Sequence, residues 1–477
     1  MNSDSGTGEV FMEEIGRRLL EAGVVSDKEL SHALERQQKH GGRLGQNLMA
    51  LGLIDEQTLE KFFHISPPVP NTVEDTGLSL SFIADLVTKH IMSLGEFKIA
   101  DVADSVRLPM SVIDSVIECL RRDKLVEVKG GTGYATVTYT FKITETGIKR
   151  GNELMELCRY SGPAPVTLDA YSRMVNLQTV KNIVVREECL KKAFSHLVLG
   201  EKLLKRLGPA ISSGKALFFY GPPGNGKTAI AETIGKVMPD TIYIPYALTV
   251  GGQIISLFDP ISHTPAGPDR EADQTDQRWL RIKRPVVMTG GELTLRMLDL
   301  DFNPIAKYYE ASLQMKANNG LFIADDFGRQ QIEPQRFLNR WIVPLDRSVD
   351  FMNLHTGMMF AIPFDMLVVF ATNIDPKDLV DDAFLRRIRY KIKIDRPSVE
   401  EYEEIFKMVC RSYKIPFNRE SFDYLLDNYY RKFDVSLNAC HPRDIIEHVV
   451  DSARYYNHAP QMTRESIDMA WQNYFVD

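Results

Sequence analysis

Short apolar runs alternate with stretches of helical periodicity through the C-terminal two thirds of the chain. Runs of this length predict buried strands rather than long helices. Strand–helix alternation is typical of a parallel sheet covered by helices. The runs are ALFFYG, TIYIPY, PVVMTG, GLFIAD and DMLVVFATN. Beyond about Pro397 the strand-like runs stop, which predicts a smaller helical subdomain at the C-terminal end.

The N-terminal region contains two copies of one helical pattern. EIGRRLLEAGVVSDKEL begins at Glu14 and RLGQNLMALGLIDEQTL at Arg43, and glycines and leucines match at a constant offset of 29 residues. Such self-similarity predicts a duplicated helical unit, which we assign to residues 1–65. The segment SPPVPNTVEDTG that follows has three prolines and no apolar periodicity, which predicts a linker over residues 66–77.

Residues 78–151 contain three helix candidates followed by two strand candidates, KLVEVKG and YTFKITE. This order is typical of a winged helix-turn-helix domain. Residues 71–150 carry ten Lys and Arg against eleven Asp and Glu, although DNA-binding domains usually concentrate positive charge. The predicted recognition helix, Pro109 to Asp123, is itself not basic. We therefore favour a protein-interaction role over DNA binding, which stays open as an alternative.

Composition restricts the class of protein further. Of 477 residues, 44% are apolar and 25% are charged, with a net charge of −7, which is ordinary for a globular protein. The five cysteines are scattered and form no CxxC pair, which indicates a reducing compartment. The polar N-terminus resembles no targeting signal, and no run approaches the roughly 20 apolar residues of a membrane helix. A cytoplasmic protein without membrane insertion is expected.

The segment GPPGNGKT, Gly221 to Thr228, follows an apolar strand and precedes a helical stretch. Glycines and bare backbone N–H groups can wrap phosphates, and the helix N-terminus adds its positive end. In this pattern the Lys227 side chain reaches the outer phosphates, and the Thr228 hydroxyl binds Mg²⁺. A Gly/Pro turn with a surface lysine is the alternative. The predicted ATP-binding residues are Gly221, Pro222, Pro223, Gly224, Asn225, Gly226, Lys227, Thr228 and Ala229.

A second apolar run, GLFIADD, ends in two adjacent carboxylates, Asp325 and Asp326. Two charges at the end of a buried strand need compensation. In a P-loop NTPase the first of them holds the Mg²⁺ shell, and the second polarises the attacking water as a general base. Asp326 is one methylene shorter than a glutamate, so hydrolysis is slow unless the backbone or a second water closes the gap. Alternatively, Asp326 caps the following helix.

With these two motifs, residues 163–477 resemble the AAA+ ATPases. The resemblance implies a nucleotide-binding core over residues 163–397 and a helical lid over residues 398–477. FATN is similar to the sensor 1 strand, which implies that Asn373 lies near the γ-phosphate and the attacking water. HPRD resembles sensor 2, with Arg443 reaching the nucleotide from the lid. Family members usually have Glu where Asp326 stands.

The segment AFLRRI resembles the part of AAA+ proteins that carries the arginine finger. Arg386 or Arg387 would then stabilise phosphate charge on a neighbouring subunit, and the sequence does not choose between them. A trans-acting finger implies a homo-oligomeric ring, most often a hexamer. The alternative is that RRIRYKIK is a solvated basic surface.

Two further segments of this region lead to predictions. Apolar runs flank His355, Thr356 and Gly357, which predicts a β-hairpin over Val349 to Pro363. MoxR-like and related AAA+ proteins carry a similar hairpin before sensor 1. The polar segment between Leu257 and Trp279 predicts a long loop, with His263 as a surface residue.

The N-terminal repeat resembles the N-terminal domain of type II secretion and type IV pilus assembly ATPases. In part of that family the paired motif binds cyclic di-GMP, which would place Gly16, Arg43, Leu44 and Gly45 at the ligand. The first copy departs from the motif with Glu14 in place of arginine, and an acid there repels phosphate. Docking of a partner protein on the same helices is the alternative.

The sequence thus predicts an α/β P-loop NTPase of the AAA+ type with a helical lid, preceded by an all-α repeat domain and a winged helix. ATP hydrolysis with Mg²⁺ would remodel or regulate a protein partner, in secretion, pilus or second-messenger signalling. Two alternatives stay open. One is a transcription regulator that binds DNA through the winged helix, and the other is a nucleotide-dependent scaffold with slow turnover.

Overall fold

A parallel β-sheet forms the centre of the computed structural model. The description covers residues 17, 19–40, 44–55, 58, 66–131, 139–183, 185–238, 240–267, 274–379 and 385–475. The strands are β1 (Glu96–Phe97), β2 (Val126–Gly131), β3 (Tyr139–Ile143), β4 (Val166–Thr167), β5 (Leu217–Tyr220), β6 (Thr241–Pro245), β7 (Ala247–Val250), β8 (Gln253–Ser256), β9 (Trp279–Lys283), β10 (Val286–Thr289), β11 (Asp301–Asn303), β12 (Tyr308–Glu310), β13 (Leu321–Ala324), β14 (Val349–Asn353), β15 (Met359–Pro363), β16 (Leu367–Thr372) and β17 (Tyr390–Lys393).

Helices surround the sheet and extend beyond it on both sides along the chain. They are α1 (Asp27–His40), α2 (Leu44–Ala50), α3 (Leu80–Leu94), α4 (Ile99–Val106), α5 (Met110–Arg122), α6 (Glu145–Leu157), α7 (Leu168–Leu177), α8 (Glu187–Ala193), α9 (Glu201–Ser212), α10 (Lys227–Lys236), α11 (Leu313–Ala317), α12 (Pro334–Arg347), α13 (Pro376–Leu379), α14 (Val399–Ser412), α15 (Arg419–Leu425), α16 (His441–Tyr455) and α17 (Arg464–Tyr474). Among the described residues, none of these helices is long and apolar enough to cross a membrane.

The central sheet has the strand order β10-β13-β16-β5-β17, and all neighbouring pairs are parallel. Every residue of β13 and β16 is buried. This explains their continuous apolar sequences, because strands covered on both faces need apolar residues throughout. On one face α9 and α10 pack against alternate strand residues, and on the other face α12 packs through Phe337 and Trp341. The prediction of a parallel α/β sheet is confirmed.

One predicted sheet member, TIYIPY, was assigned to the wrong sheet. It forms β6, which pairs antiparallel with β9 outside the parallel sheet. Its residues Ile242 and Ile244 pack with Ile282 in a small separate cluster. A second five-stranded sheet, with the order β11-β12-β8-β7-β4, lies in the same part of the chain and was not predicted.

Residues 80–157 form α3, α4 and α5, a three-stranded antiparallel sheet with the order β1-β3-β2, and α6. The winged-helix assignment and its boundaries stay predictions, but α6 runs continuously through the proposed boundary at residue 151. This unit shares one apolar core with the second sheet, through Ala247 and Ile254. It is therefore packed firmly against the rest of the protein.

The predicted linker is anchored rather than free. The Pro67 carbonyl accepts a hydrogen bond from the Asp276 N–H, and Thr76 O accepts one of 2.9 Å from Arg278 Nη1. Arg278 and Asp276 form a buried ion pair at 2.8 Å. A buried guanidinium whose donors are satisfied in this way fixes the path of the neighbouring backbone.

The predicted hairpin is confirmed, since β14 and β15 pair antiparallel with Asn353 opposite Met359. The prediction that His263 is a surface residue is wrong. Its side chain is buried, its Nδ1 accepts from the Asp259 N–H at 3.0 Å, and its Nε2 lies 2.9 Å from Lys316 O. Both ring nitrogens are thus used in packing a polar segment onto the core.

Candidate functional site

The GPPGNGKT segment forms the turn between β5 and α10. Gly221 has φ of 137°, and a Cβ there would lie 2.2 Å from the carbonyl oxygen of Ile394, so only glycine fits. Gly226 precedes α10 with φ of 81°, which favours glycine for the same backbone reason. The first N–H groups of α10 have no partners within the helix, and Ala229 lies in this first turn. The turn therefore presents a helix N-terminus, which suits an anion.

Lys227 is the first residue of α10, and its side chain is buried. Its Nζ donates hydrogen bonds to Gly221 O at 3.0 Å and Pro222 O at 2.8 Å. Burial lowers the pKa of Lys227, and the charges of Asp325 and Asp326 oppose that shift. Among the described residues, the hydrogen-bond partners of this buried ammonium are neutral carbonyls. A buried charge is stabilised by an opposite charge, which fits the predicted contact with phosphate.

Thr228 and Asp325 lie together although 97 residues separate them. Thr228 Oγ1 donates a hydrogen bond of 2.8 Å to Asp325 Oδ2. The Asp325 N–H donates to Thr289 O at 2.8 Å, which continues the pairing of β13 with β10. A hydroxyl and a carboxylate at the carboxyl edge of a sheet, beside a helix N-terminus, are the oxygen ligands that Mg²⁺ prefers. The residues present therefore fit a magnesium–phosphate group.

Asp326 lies next to Asn373, because β13 and β16 are neighbours in the sheet. Asn373 Nδ2 donates to Asp326 Oδ1 at 3.2 Å. The side chain of Asp326 is exposed, and its φ of 45° is in the left-handed region. The alternative role as a helix cap is wrong, since the next helix, α12, has Glu333 at its N-cap.

The two candidate finger arginines lie at the opposite edge of the sheet from this site. β17 runs parallel to β5, with Tyr390 opposite Leu217 and Lys393 opposite Tyr220. Residues 386 and 387 precede β17, whereas GPPGNGKT follows the other end of β5, about 13 Å away at 3.3 Å per residue. They cannot therefore serve the phosphate site of their own chain.

Arg386 and Arg387 differ in their surroundings. Arg387 Nε forms a 2.7 Å ion pair with Asp346 Oδ2. Arg386 is exposed and forms no ion pair with the described part of the chain. Together with Lys215 and Arg389 they line an open cavity of about 660 Å³. The cavity is strongly basic, and Arg386 and Arg389 are its two exposed arginines.

The helical segment that the sequence predicts as the lid, residues 398–475 of the described chain, contacts the turn directly. It does so through residues that the sequence did not single out. Ala439 N–H donates to Asn225 Oδ1 at 3.1 Å, and Cys440 N–H donates to Gly224 O at 2.9 Å. Asn225 was predicted as part of the loop, but its lid partners have no local signature. Arg443 lies in the first turn of α16 with an exposed side chain, and the structure records no contact between it and the loop.

A cavity of about 260 Å³ opens beside the turn. Its lining is mixed, because the apolar side chains of Leu199, Leu203 and Ile405 stand beside charged ones. The charged lining residues are Lys202, Arg206, Lys393, Asp395, Arg396 and Glu401, and Asn225 and Ala439 lie on the side of the loop and the lid. Apolar surface with polar groups beside it is typical of small-molecule sites, and this one adjoins the loop that holds Lys227. No local sequence pattern predicts it.

Two of the four residues predicted for the N-terminal ligand, Gly16 and Arg43, lie outside the described residues. Leu44 and Gly45 are buried. The side chain of Leu44 packs with Leu19, Val25 and Leu48 in a small apolar core, which accounts for a leucine there without a ligand. Binding of cyclic di-GMP stays a prediction.

Comparison with known proteins adds little to this geometry. Residues 398–473 match a family described as a domain of unknown function, DUF8689. No curated protein matches the sequence. NtrX from Brucella abortus in complex with ADP is 13% identical, with a TM-score of 0.36 over 58% of this chain and 56% of that chain. A RuvB mutant from Thermotoga maritima is 12% identical, with a TM-score of 0.34 over 63% and 74%. Likenesses this weak assign neither fold nor activity.

Proposed function

We propose that this chain is an AAA+-type ATPase that binds Mg²⁺–ATP and uses its hydrolysis to remodel a protein partner. The observation that carries the proposal is the meeting of Lys227, Thr228 and Asp325 at the carboxyl edge of the parallel sheet. Three chemically distinct groups, a buried ammonium, a hydroxyl and a carboxylate, lie around one helix N-terminus. This set is what a triphosphate with its metal requires.

Each group has a separate role in this proposal. Lys227 exchanges its carbonyl partners for the outer phosphates, which offer it full opposite charge. Mg²⁺ would be held by Thr228 and Asp325, and when bound it neutralises charge that develops on the phosphates. The cavity beside Asn225, which is lined by apolar and charged side chains, takes the base. The base and the phosphates thus occupy adjoining parts of one site.

Asp326 and Asn373 are proposed to hold the attacking water. Asp326 accepts a proton as the general base, and Asn373, 3.2 Å from its carboxylate, orients it. The carboxylate is set back by one methylene relative to glutamate, so turnover is expected to be slow. Its bond to Asn373 also competes with water, and this observation favours a nucleotide-dependent scaffold as a second candidate function.

Assembly of several copies completes the site in this proposal. Arg386 would enter the phosphate site of a neighbouring copy, since it lies at the edge of the sheet remote from its own phosphate site and has no ion pair among the described residues. Arg387 would instead fix the local structure through Asp346. Such head-to-tail contacts close into rings, and a hexamer is the expected size.

The partner is proposed to be a protein rather than DNA. In a helix-turn-helix the N-terminal residues of the recognition helix contact base edges. At that end of α5, Ser111 Oγ donates to Asn71 O at 3.1 Å, so the anchored segment 66–77 covers part of it. The exposed side of α5 also carries Glu118, which repels phosphate. These features weigh against the transcription-regulator alternative.

Steady-state phosphate release tests the function. The wild type is expected to hydrolyse ATP slowly and in a Mg²⁺-dependent manner, Lys227→Ala to be inactive, and Asp326→Glu to turn over faster because its carboxylate reaches further. Wild-type binding of ATP with no turnover above Lys227→Ala would leave the scaffold as the function. Loss of binding and turnover together would remove both candidates.

A further inference from the structure

We infer that Asn225 and Asn438 form an amide pair that couples occupancy of the phosphate loop to the position of the helical lid. The inference rests on the proposed function, since it assigns a nucleotide-dependent role to residues beside the loop. Asn225 belongs to the loop, and Asn438 belongs to the lid segment just before α16. Both act as positioning residues, because neither is proposed to touch the reacting atoms.

Asn225 bonds to both sides of the junction with one side chain. It is buried, and its Nδ2 lies 3.3 Å from Pro222 O, 3.1 Å from Pro223 O and 3.5 Å from Asn438 Oδ1. Its Oδ1 accepts the Ala439 N–H at 3.1 Å. The amide nitrogen therefore reaches both the loop carbonyls and Asn438, while the amide oxygen accepts from the lid backbone. Alanine could supply neither function, since its side chain has no polar atom.

The loop side of the pair depends on Lys227. Pro222 O accepts hydrogen bonds from both Lys227 Nζ, at 2.8 Å, and Asn225 Nδ2. When a bound anion draws the Lys227 ammonium away, Pro222 O loses one of these two hydrogen bonds. The hydrogen bond from Asn225 Nδ2 remains. The Asn225 amide is then held more firmly, and its Oδ1 stays directed at the Ala439 N–H. Phosphate binding is thereby communicated to the lid backbone.

The lid side of the pair continues into the lid core. Asn438 Nδ2 lies 3.3 Å from His441 Nε2, and the Tyr430 hydroxyl lies 3.0 Å from His441 Nδ1. Tyr430 is in a π-helical turn, Leu426–Arg431, and its hydroxyl lies 2.6 Å from that of Tyr402 in α14. Single π-helical turns are frequent at functional sites. A displacement of Asn438 therefore reaches two of the packed lid helices.

Hydrogen–deuterium exchange of the full chain, with and without Mg²⁺–ATPγS, tests the inference. In the wild type, nucleotide is expected to slow exchange both in a loop peptide, residues 219–230, and in a lid peptide, residues 436–446. Asn225→Ala and Asn438→Ala are expected to reduce the slowing in the lid peptide by about two- to tenfold, the effect of one hydrogen bond on an equilibrium. The loop peptide of Asn438→Ala should still respond fully.

Asn428→Ala is the matched control, because this exposed lid asparagine bonds only within its own helical segment, to Tyr424 O at 3.3 Å. It should behave as the wild type. The inference is overturned if the lid peptide of Asn438→Ala still responds to nucleotide as the wild type does, or if nucleotide protects the wild-type loop but not the lid. No protection of the wild-type loop peptide would overturn the proposed function, and the inference with it.

Discussion

His441 should make the lid less stable in mild acid. The surroundings of its imidazole determine how much stability is lost. Burial of the imidazole between Tyr430 and Asn438 lowers the pKa of His441 from 6.5 to about 4, although the charge of Asp444 opposes the shift. The folded state thus disfavours the proton that the unfolded chain accepts. The contribution of the neutral His441 to the free energy of unfolding is complete above pH 6.5. It is lost progressively as the pH falls from 6.5 towards 4.

The difference between the two pKa values sets how much stability the protein loses in acid. Each pKa unit corresponds to about 1.4 kcal/mol, so full protonation costs about 3 kcal/mol. Between pH 7 and pH 5 the unfolded histidine becomes almost fully charged while the folded one stays mostly neutral, which gives a loss of about 2 kcal/mol. A loss of this size is a large fraction of the stability of a small subdomain.

Urea unfolding followed by tryptophan fluorescence measures this loss. Replacement of Trp279 and Trp341 by phenylalanine leaves Trp471, which packs against Tyr430 in the lid, as the reporter. His441→Gln in the same background is expected to be less stable at pH 7 and to lose about 2 kcal/mol less between pH 7 and pH 5. Equal losses in the two proteins would refute the reasoning, since other titrating groups would then account for the whole pH dependence.

Further predictions concern other parts of the site. Arg386→Ala should lower ATP turnover without weakening nucleotide binding. Arg387→Ala should instead lower the melting temperature, because Asp346 loses its ion-pair partner. Equal effects of the two variants on turnover and on the melting temperature would contradict the different roles of the two arginines. Arg278→Ala should destabilise the protein by about 3–5 kcal/mol and expose residues 66–77 to limited trypsin digestion, and unchanged digestion would show that the ion pair does not anchor them. Gly221→Ala should abolish nucleotide binding in a titration, because its Cβ would lie 2.2 Å from a carbonyl oxygen, and retained affinity would contradict this.

The predicted strands of the parallel sheet share an uncharged, mostly apolar sequence. β5, β13 and β16 are interior strands, which need apolar residues along most of their length, and the edge strand β10 was found because VVMT contains no charged residue. β17, the other edge strand, was missed because Lys391 and Lys393 alternate with its other residues. Lysines on edge strands are common, since they discourage pairing with other chains. The pattern therefore resembled a solvated basic segment.

Predictions failed where the structure of a segment depends on a partner that is far away in the sequence. β6 has a strand-like sequence, but nothing within it specifies that it pairs with β9 instead of joining the parallel sheet. His263 lies in a polar segment, and its burial depends on Lys316 O, which is 53 residues away. Asn225 could be placed in the loop by its motif, whereas its contact with Asn438 spans 213 residues and has no local pattern.

Two of the predicted site residues lie together in the structure, while the assignment of the site itself stays a prediction. Thr228 and Asp325 were expected to share a metal, and the structure brings their side chains within 2.8 Å. Backbone motifs such as GPPGNGKT are specific because several conformational and chemical requirements coincide in few residues. The cavity beside Asn225 lacked such a signature, since residues from several separate segments line it.

Calorimetric titration of ATPγS into the full chain tests the central claim most directly. The wild type should bind in the presence of Mg²⁺ and bind less tightly in EDTA, while Lys227→Ala should show no measurable binding and Asp325→Asn should lose the dependence on Mg²⁺. Binding of equal affinity to the wild type and Lys227→Ala, or the absence of binding to the wild type, would contradict the assignment of a magnesium–triphosphate site to this edge of the sheet.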